Sequence, residues 1–208
     1  ENCLPKLNGF FAFVIYDKND RSLFMARDRF GGKPLQYYFD TDVLLFGSEL
    51  KALTAFGIPK TVSVNVLADY LHLNYIPQYS DAILEQVYYQ KKGVYTKVSD
   101  KESSYADSRR WYGFPEAPEA YLVPSYEEAK KQLRSLLENS VHRRLISDVP
   151  LGAFLSGGLD SSIVTALAVR EKKDLETFSI GFADEPFFDE TAFAKQVSKH
   201  LGTKHHVF

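Results

Sequence analysis

Seven consecutive residues carry the most legible chemistry in this chain: Ser156, Gly157, Gly158, Leu159, Asp160, Ser161 and Ser162. They gather two glycines, three hydroxyls and one carboxylate into a single turn. Glycines let backbone N–H groups come close to a ligand, and a helix N-terminus adds partial positive charge. A strand that stops in glycines and restarts as a helix therefore makes an anion site. The hydroxyls of Ser156, Ser161 and Ser162 surround that concavity, and Asp160 is placed to hold a magnesium ion (Mg²⁺) against phosphate oxygens. No Gly-Lys-Ser/Thr follows the glycines, so the turn is not a Walker A loop. A tight turn with a good helix cap is the plain alternative, and glycine pairs alone do not exclude it.

The flanking residues must position that turn. Leu151 to Leu155 is a short apolar run that suits a strand buried on both faces. From Ser162 onward, Ile163, Ala166, Leu167 and Val169 fall at helical spacing. A second strand follows over Thr177 to Phe182. A helix comes next, from about Asp189 to Leu201, with Ala192, Phe193, Val197 and Leu201 on its apolar face and Gly202 as its C-cap. His205 to Phe208 begins a third strand, on which the adjacent His205 and His206 face opposite sides and cannot share a metal. Upstream, Ser125 and Glu128 form a capping box for a helix running to about Ile146, its apolar face marked by Ala129, Leu133, Leu136, Leu137 and Val141. His142 near its end reads as a charge suited to the helix dipole. Strand, helix, strand, helix, strand is the order of a parallel, doubly wound α/β sheet. Ligands bind there at the carboxyl ends of the strands, which puts Ile180 and Gly181 beside Ser156.

The first half is different. Phe10 to Tyr16, Leu23 to Ala26, Leu35 to Phe39 and Val43 to Phe46 read as antiparallel strands, with turn signals at Asp17–Asp20 and Asp40–Asp42. A short helix over Ser48 to Ala55 follows, then an amphipathic one from Asn65 with Leu67, Tyr70 and Leu71 on one face, ended by Ile76-Pro77. Ile83 to Tyr89 and Val94 to Val98 read as a hairpin turned at Gln90-Lys91-Lys92-Gly93. Pro115, Pro118 and Pro124 mark a linker, so a domain boundary falls between about Trp111 and Pro124. The charge run Arg27-Asp28-Arg29 has the usual form of a solvated cluster.

Composition bounds the rest. The 208 residues have a net charge of -2 and 45% hydrophobic content, enough for one large or two small cores. Near-neutral charge gives no electrostatic footprint for nucleic acid or a membrane surface, and no apolar run reaches the length of a membrane span. The one cysteine, Cys3, excludes an internal disulfide and fits a reducing cytoplasm. It reads as a small hydrophobe or free thiol.

SGGLDSS after a buried strand resembles the pyrophosphate loop of the ATP-pyrophosphatase enzymes, and the flank Arg144 to Pro150 is similar to that of glutamine-hydrolysing asparagine synthetases. The first half resembles the latter part of a class II glutamine amidotransferase domain. That likeness lies in Leu7 to Phe13, Ala26 to Leu35 and Gly47 to Leu53. The resemblance implies an α+β antiparallel glutaminase-type region over residues 1–115, then a parallel doubly wound ATP-pyrophosphatase domain over residues 120–208, each partial. It implies ATP cut between its α and β phosphates, aspartate activated as an adenylate, and ammonia supplied from glutamine. Asp160 would be the metal ligand and, with Ser156, catalytic. Phe154, Leu155, Ser156, Gly157, Gly158, Leu159, Asp160, Ser161, Ser162, Ile180 and Gly181 would bind the nucleotide, although plain core packing accounts for Leu155 equally well. Family members often pair as homodimers. In the family the glutaminase nucleophile is an N-terminal cysteine in a sequence context that Cys3 lacks. A second carboxylate and an intermediate-stabilising lysine lie further along the synthetase domain, so the chain reads as an internal fragment.

The resemblance also places the Arg27–Arg29 loop on the synthetase domain. Gln36 stands where an aromatic is more usual, and Gln90–Gly93 where relatives carry a Pro-Pro-Gly-type turn. A ligase adenylating another carboxylic acid, or a nucleotide-binding module without turnover, remains open.

Overall fold

A computed structural model of the chain describes residues 1–41, 43–77, 81–99, 107–114, 125–182, 184–185 and 187–208. The chain divides into two compact units, Glu1–Pro118 and Glu119–Phe208. The linker prolines Pro115, Pro118 and Pro124 lie outside the described residues, as does Asp42 of the second turn signal.

The apolar stretches of the first unit become antiparallel strands. β1 (Ala12–Asp17) and β2 (Ser22–Arg27) pair with Phe13 opposite Ala26. Their turn is fixed by the Asp17 carboxylate, which accepts from the N–H groups of Asn19 and Asp20. β3 (Gln36–Phe39) pairs with β4 (Leu44–Gly47), and α1 (Leu50–Thr54) follows. α2 spans Val64–Leu73, with the Ser63 hydroxyl as N-cap and Asn74 left-handed at its end. Its buried residue is Val66; the face marked by Leu67, Tyr70 and Leu71 is exposed, contrary to the periodicity.

The predicted hairpin over 83–98 does not form. β5 (Val87–Tyr89) pairs with β3, whereas β6 (Val94–Ser99) lies between β2 and β7 (Asp107–Arg110). Residues 90–93 carry the chain from one sheet to the other. Gln90 N–H donates to Leu35 O, Gly93 N–H donates to Asp28 O, and the buried Gln90 side chain donates to Val94 O. The bonds to Leu35 and Asp28, distant in sequence, replace the local pairing a hairpin would need.

Two cores result. Tyr38, Leu53, Ile58, Ala82, Leu84 and Val87 pack under β3, while Leu4, Ala26 and Tyr95 pack with Phe11, Phe13, Phe24 and Trp111. Cys3 is an exposed free thiol, which removes the buried-hydrophobe reading.

Arg27 and Asp28 are not a solvated cluster: Arg27 is 4% and Asp28 1% exposed. The Asp28 carboxylate accepts from the backbone N–H groups of Phe11, Phe30, Gly32 and Lys33. The Arg27 guanidinium donates to the carbonyls of Gly31, Lys33 and Gln90. Burial alone would raise the Asp28 pKa, but the four N–H donors outweigh it and hold the carboxyl below its ordinary value. Gln36 is also buried, with its Oε1 unpartnered among the described residues.

The second unit begins with α3 (Tyr126–His142), whose capping box forms as the sequence predicts. It ends earlier than Ile146; Val141 is its buried residue, and Leu133 and Leu136 are exposed. His142 meets Glu171 at 2.6 Å.

β8 (Gly152–Phe154), β9 (Glu176–Ser179) and β10 (Lys204–Val207) form a parallel three-stranded sheet in the order β10-β9-β8. Between them run α4 (Leu159–Glu171) and α5 (Thr191–Leu201). α4 and α3 enclose a core of Val141, Ala168 and Leu175. β8 is an edge strand here and is not buried on both faces, since Phe154 is 82% exposed.

α5 buries Thr191, Ala194 and Ser198 rather than the large apolar set, and Phe193 is exposed. Small residues allow a close approach: a Cβ on Gly157 would lie 2.6 Å from Ala194 N. Gly202 caps α5 in the left-handed conformation. Among the described residues no helix is long and apolar enough to cross a membrane.

Candidate functional site

The turn after β8 is held from beneath by β9. Leu155 is 1% exposed; its N–H donates to Phe178 O at 2.9 Å and its carbonyl accepts from the Ser179 hydroxyl at 2.6 Å. The chain then turns at Gly157, whose φ of 85° and contact with α5 both require glycine. Helix α4 starts at Leu159, three residues before the position that the apolar spacing marks. Leu159, Asp160, Ser161 and Ser162 are thus the first turn of the helix and not part of a loop.

This early start brings the hydroxyls together. Ser156 Oγ lies 3.0 Å from Ser161 Oγ and accepts from Gly158 N–H. Ser161 and Ser162 both donate to Gly158 O, at 3.1 and 2.7 Å. The N-cap is Gly158, which offers no side-chain cap to the first-turn N–H groups. A phosphate would find there a helix N-terminus with no built-in anion and three serine hydroxyls around it. The first-turn N–H groups fit an anion; the three hydroxyls, whose protons go to Gly158 O and to one another, would turn to join them. Asp160 is exposed in the first turn, and among the described residues no group of three His, Cys, Asp or Glu gathers as a metal cage.

Beside the turn is a cleft of about 190 Å³ lined by Phe154, Leu155, Ser156 and Ile180 together with residues of β9 and the start of α5. The structure therefore brings together Phe154, Leu155, Ser156 and Ile180 from the predicted set. Gly181 stands apart: its N–H is taken by Phe208 O at 2.7 Å. Leu155 contributes chiefly as core and as backbone anchor. Phe178, Ser179, Phe188, Glu190 and Thr191 also line the cleft and escaped the sequence reading. The rule that ligands sit at carboxyl ends of strands points to Ser179, but nothing in the residue order marks the segment before α5.

The two adjacent histidines do face opposite ways. His205 bonds inward to Thr177 and Ser179, and His206 meets Glu176 at 2.7 Å while stacking on Phe178. Lys204 and His206 hold the Glu176 carboxyl below its ordinary pKa.

Residues 1–112 match the family model described as a glutamine amidotransferase domain, and residues 132–208 match that of asparagine synthase. The chain is 37% identical to the putative glutamine-hydrolyzing asparagine synthetase 2 of Methanocaldococcus jannaschii, over 99% of this chain and 39% of that protein. It is 33% identical to the glutamine-hydrolyzing asparagine synthetase 1 of Bacillus subtilis, over 97% of this chain and 31% of the relative. The same identity, 33%, holds for asparagine synthetase 2 of Arabidopsis thaliana, over 100% of this chain and 32% of the relative. The chain thus spans between 31% and 39% of the length of these relatives.

Proposed function

Because the chain belongs to the glutamine-hydrolysing asparagine synthetase family, we propose that it serves the ATP-dependent amidation of aspartate to asparagine, with ammonia drawn from glutamine. The observation that carries the reading is the uncapped N-terminus of α4, ringed by Ser156, Ser161 and Ser162. The asparagine synthase match that spans it, and the amidotransferase match upstream, support the same conclusion.

In this reading the phosphates of ATP lie on residues 156–162. Backbone N–H groups of Gly157 to Ser161 and the serine hydroxyls receive the β and γ phosphates, and the helix dipole adds to their pull. Phe154, Leu155 and Ile180 flank the base, with Gly181 closing the strand behind them. Mg²⁺, held by Asp160, would supply positive charge to the phosphate oxygens.

An aspartate carboxylate oxygen attacks the α-phosphorus, the bond to the bridging oxygen breaks, and pyrophosphate leaves. Charge develops on the pyrophosphate, where backbone donors already fixed by the fold need no reorganisation. Ammonia then attacks the acyl carbon of the adenylate and AMP departs. Ser156 and Asp160 are the residues assigned to the reacting phosphates.

The same reading assigns residues 1–115 to the amidotransferase domain and residues 120–208 to a doubly wound ATP-pyrophosphatase domain. It makes the protein a cytoplasmic one, able to pair as a homodimer, with small molecules and neither nucleic acid nor membrane as partners.

The test is ³¹P NMR of the nucleotide products formed from Mg²⁺·ATP, aspartate and ammonium. It is run on the chain and on a chimera completed to full length with the remaining part of the Bacillus subtilis relative. AMP and pyrophosphate from the chimera support the proposal. ADP contradicts the chemistry. Binding without turnover in the chimera favours a nucleotide-binding module, and AMP formed only with another carboxylic acid reassigns the substrate.

A further inference from the structure

Beneath the turn, the polar side chains of the second unit form one continuous file. Thr203 Oγ1 lies 2.9 Å from Thr177 Oγ1, which lies 2.9 Å from His205 Nδ1. On the other side of the imidazole, Nε2 is 3.1 Å from Ser179 Oγ, and Ser179 Oγ is 2.6 Å from Leu155 O. Thr177 and Ser179 are buried, so water does not compete at the links on either side of the imidazole.

Counting protons gives the file a direction. A carbonyl has none to give, so the Ser179 hydroxyl donates its single proton to Leu155 O. Ser179 Oγ must then accept from His205, which places the ring proton on Nε2. In a neutral imidazole the other nitrogen accepts, so Thr177 donates to Nδ1 and Thr203 donates to Thr177. From Thr203 to Ser179 every donor points toward Leu155, while the Ser198 hydroxyl gives its proton to Thr203 O at 3.1 Å and stands outside the file. Burial, with Lys195 and His206 nearby, outweighs the ring's contact with the Thr177 backbone and holds the His205 pKa below its ordinary value, which favours the neutral ring.

The end of the file is the peptide that enters the candidate phosphate turn. The Leu155 N–H is already committed to Phe178 O, so Ser179 fixes the remaining polar group of the residue before Ser156. We infer that His205 is a positioning residue for the phosphate turn: through Ser179 it sets the Leu155–Ser156 peptide and with it the seat of the Ser156 hydroxyl. The inference rests on residues 156–162 being the phosphate site. His205 itself lies behind the sheet strand that separates it from the turn's hydroxyls and acts only through Ser179.

Imidazole ¹⁵N NMR of the 208-residue chain reads the tautomer directly. A protonated Nε2 with a bare Nδ1 is expected, and a bare Nε2 overturns the inference. Two substitutions then separate positioning from packing. His205→Gln keeps a donor within reach of Ser179, whereas His205→Asn reaches Thr177 alone. Calorimetry with Mg²⁺·ATP should show His205→Asn weakened about tenfold and His205→Gln within about threefold of the unsubstituted chain. Equal affinities for all three overturn the inference, as does equal weakening of both variants. Should the unsubstituted chain bind no Mg²⁺·ATP, the nucleotide reading fails by itself. The amide resonances of Ser156 and Gly157 then decide the positioning role: displaced by His205→Asn and restored by His205→Gln supports it, and undisturbed by either refutes it.

Discussion

The turn at Arg27–Lys33 and the turn at Ser156–Ser162 use one backbone device to opposite ends. Each follows a strand, contains adjacent glycines and gathers N–H groups into a concave nest. At the first, the chain supplies its own anion: the Asp28 carboxylate takes four N–H donors and is 1% exposed. At the second, the N-cap is a glycine, the hydroxyls among the described residues bond one another and local backbone, and Asp160 is exposed to solvent. A nest filled from within is scaffold. A nest whose N-cap is glycine is the seat that we propose for phosphate. The difference between them is one carboxylate placed inside rather than outside the ring of donors.

The largest effect follows from emptying the filled nest. Asp28→Ala leaves four partly buried N–H groups without their acceptor and should destabilise the first unit by about 3 kcal/mol. Urea denaturation followed by Trp111 fluorescence reads it. The pH dependence has a definite sign. Since the folded pKa of Asp28 is lowered, its contribution is complete above the unfolded value of about 3.9 and is lost as pH falls through the folded value. Stability of Asp28→Asn should therefore decline less steeply below about pH 4 than that of the unsubstituted chain. A fully parallel acid limb would show that Asp28 is not held as described.

A smaller effect comes from crowding the open nest. Gly157→Ala demands a left-handed alanine and drives a methyl to within 2.6 Å of Ala194 N. About 2 kcal/mol of stability should go, with the loss confined to residues of the second unit in hydrogen exchange. The smallest stability change belongs to Asp160→Asn, an exposed substitution expected to stay within about 0.5 kcal/mol. Its effect is on ligand: Mg²⁺-dependent ATP affinity should fall about tenfold or more, by calorimetry with and without Mg²⁺. Unchanged affinity would remove Asp160 from the site and blur the contrast between the nests.

What the sequence made legible was local. Ser125 and Glu128 cap α3 because both partners of the box lie within one turn, and Gly202 ends α5 because only the backbone there decides. The Ser156–Ser162 turn was found from residue types alone. Its geometry was not, because the helix begins at Leu159 on an exposed first turn that carries no apolar periodicity. The missed features depend on distant partners. Arg27 and Asp28 look solvated until Gln90 and Phe11 arrive to enclose them. Residues 83–98 alternate like a hairpin, yet Leu35 and Asp28 capture the backbone at its turn. On α5 the large apolar residues drew attention, whereas close packing selected Ala194 and Ser198.

Amide NMR decides whether residues 156–162 hold the phosphates of ATP, as we propose. In a ¹H–¹⁵N titration of the chain with Mg²⁺·ATP, saturable shifts should appear at Gly157 to Ser162 and at Ile180, with Phe30 to Lys33 unmoved. Shifts at Phe30 to Lys33 instead, or none at Gly157 to Ser162 under saturating nucleotide, would contradict the account.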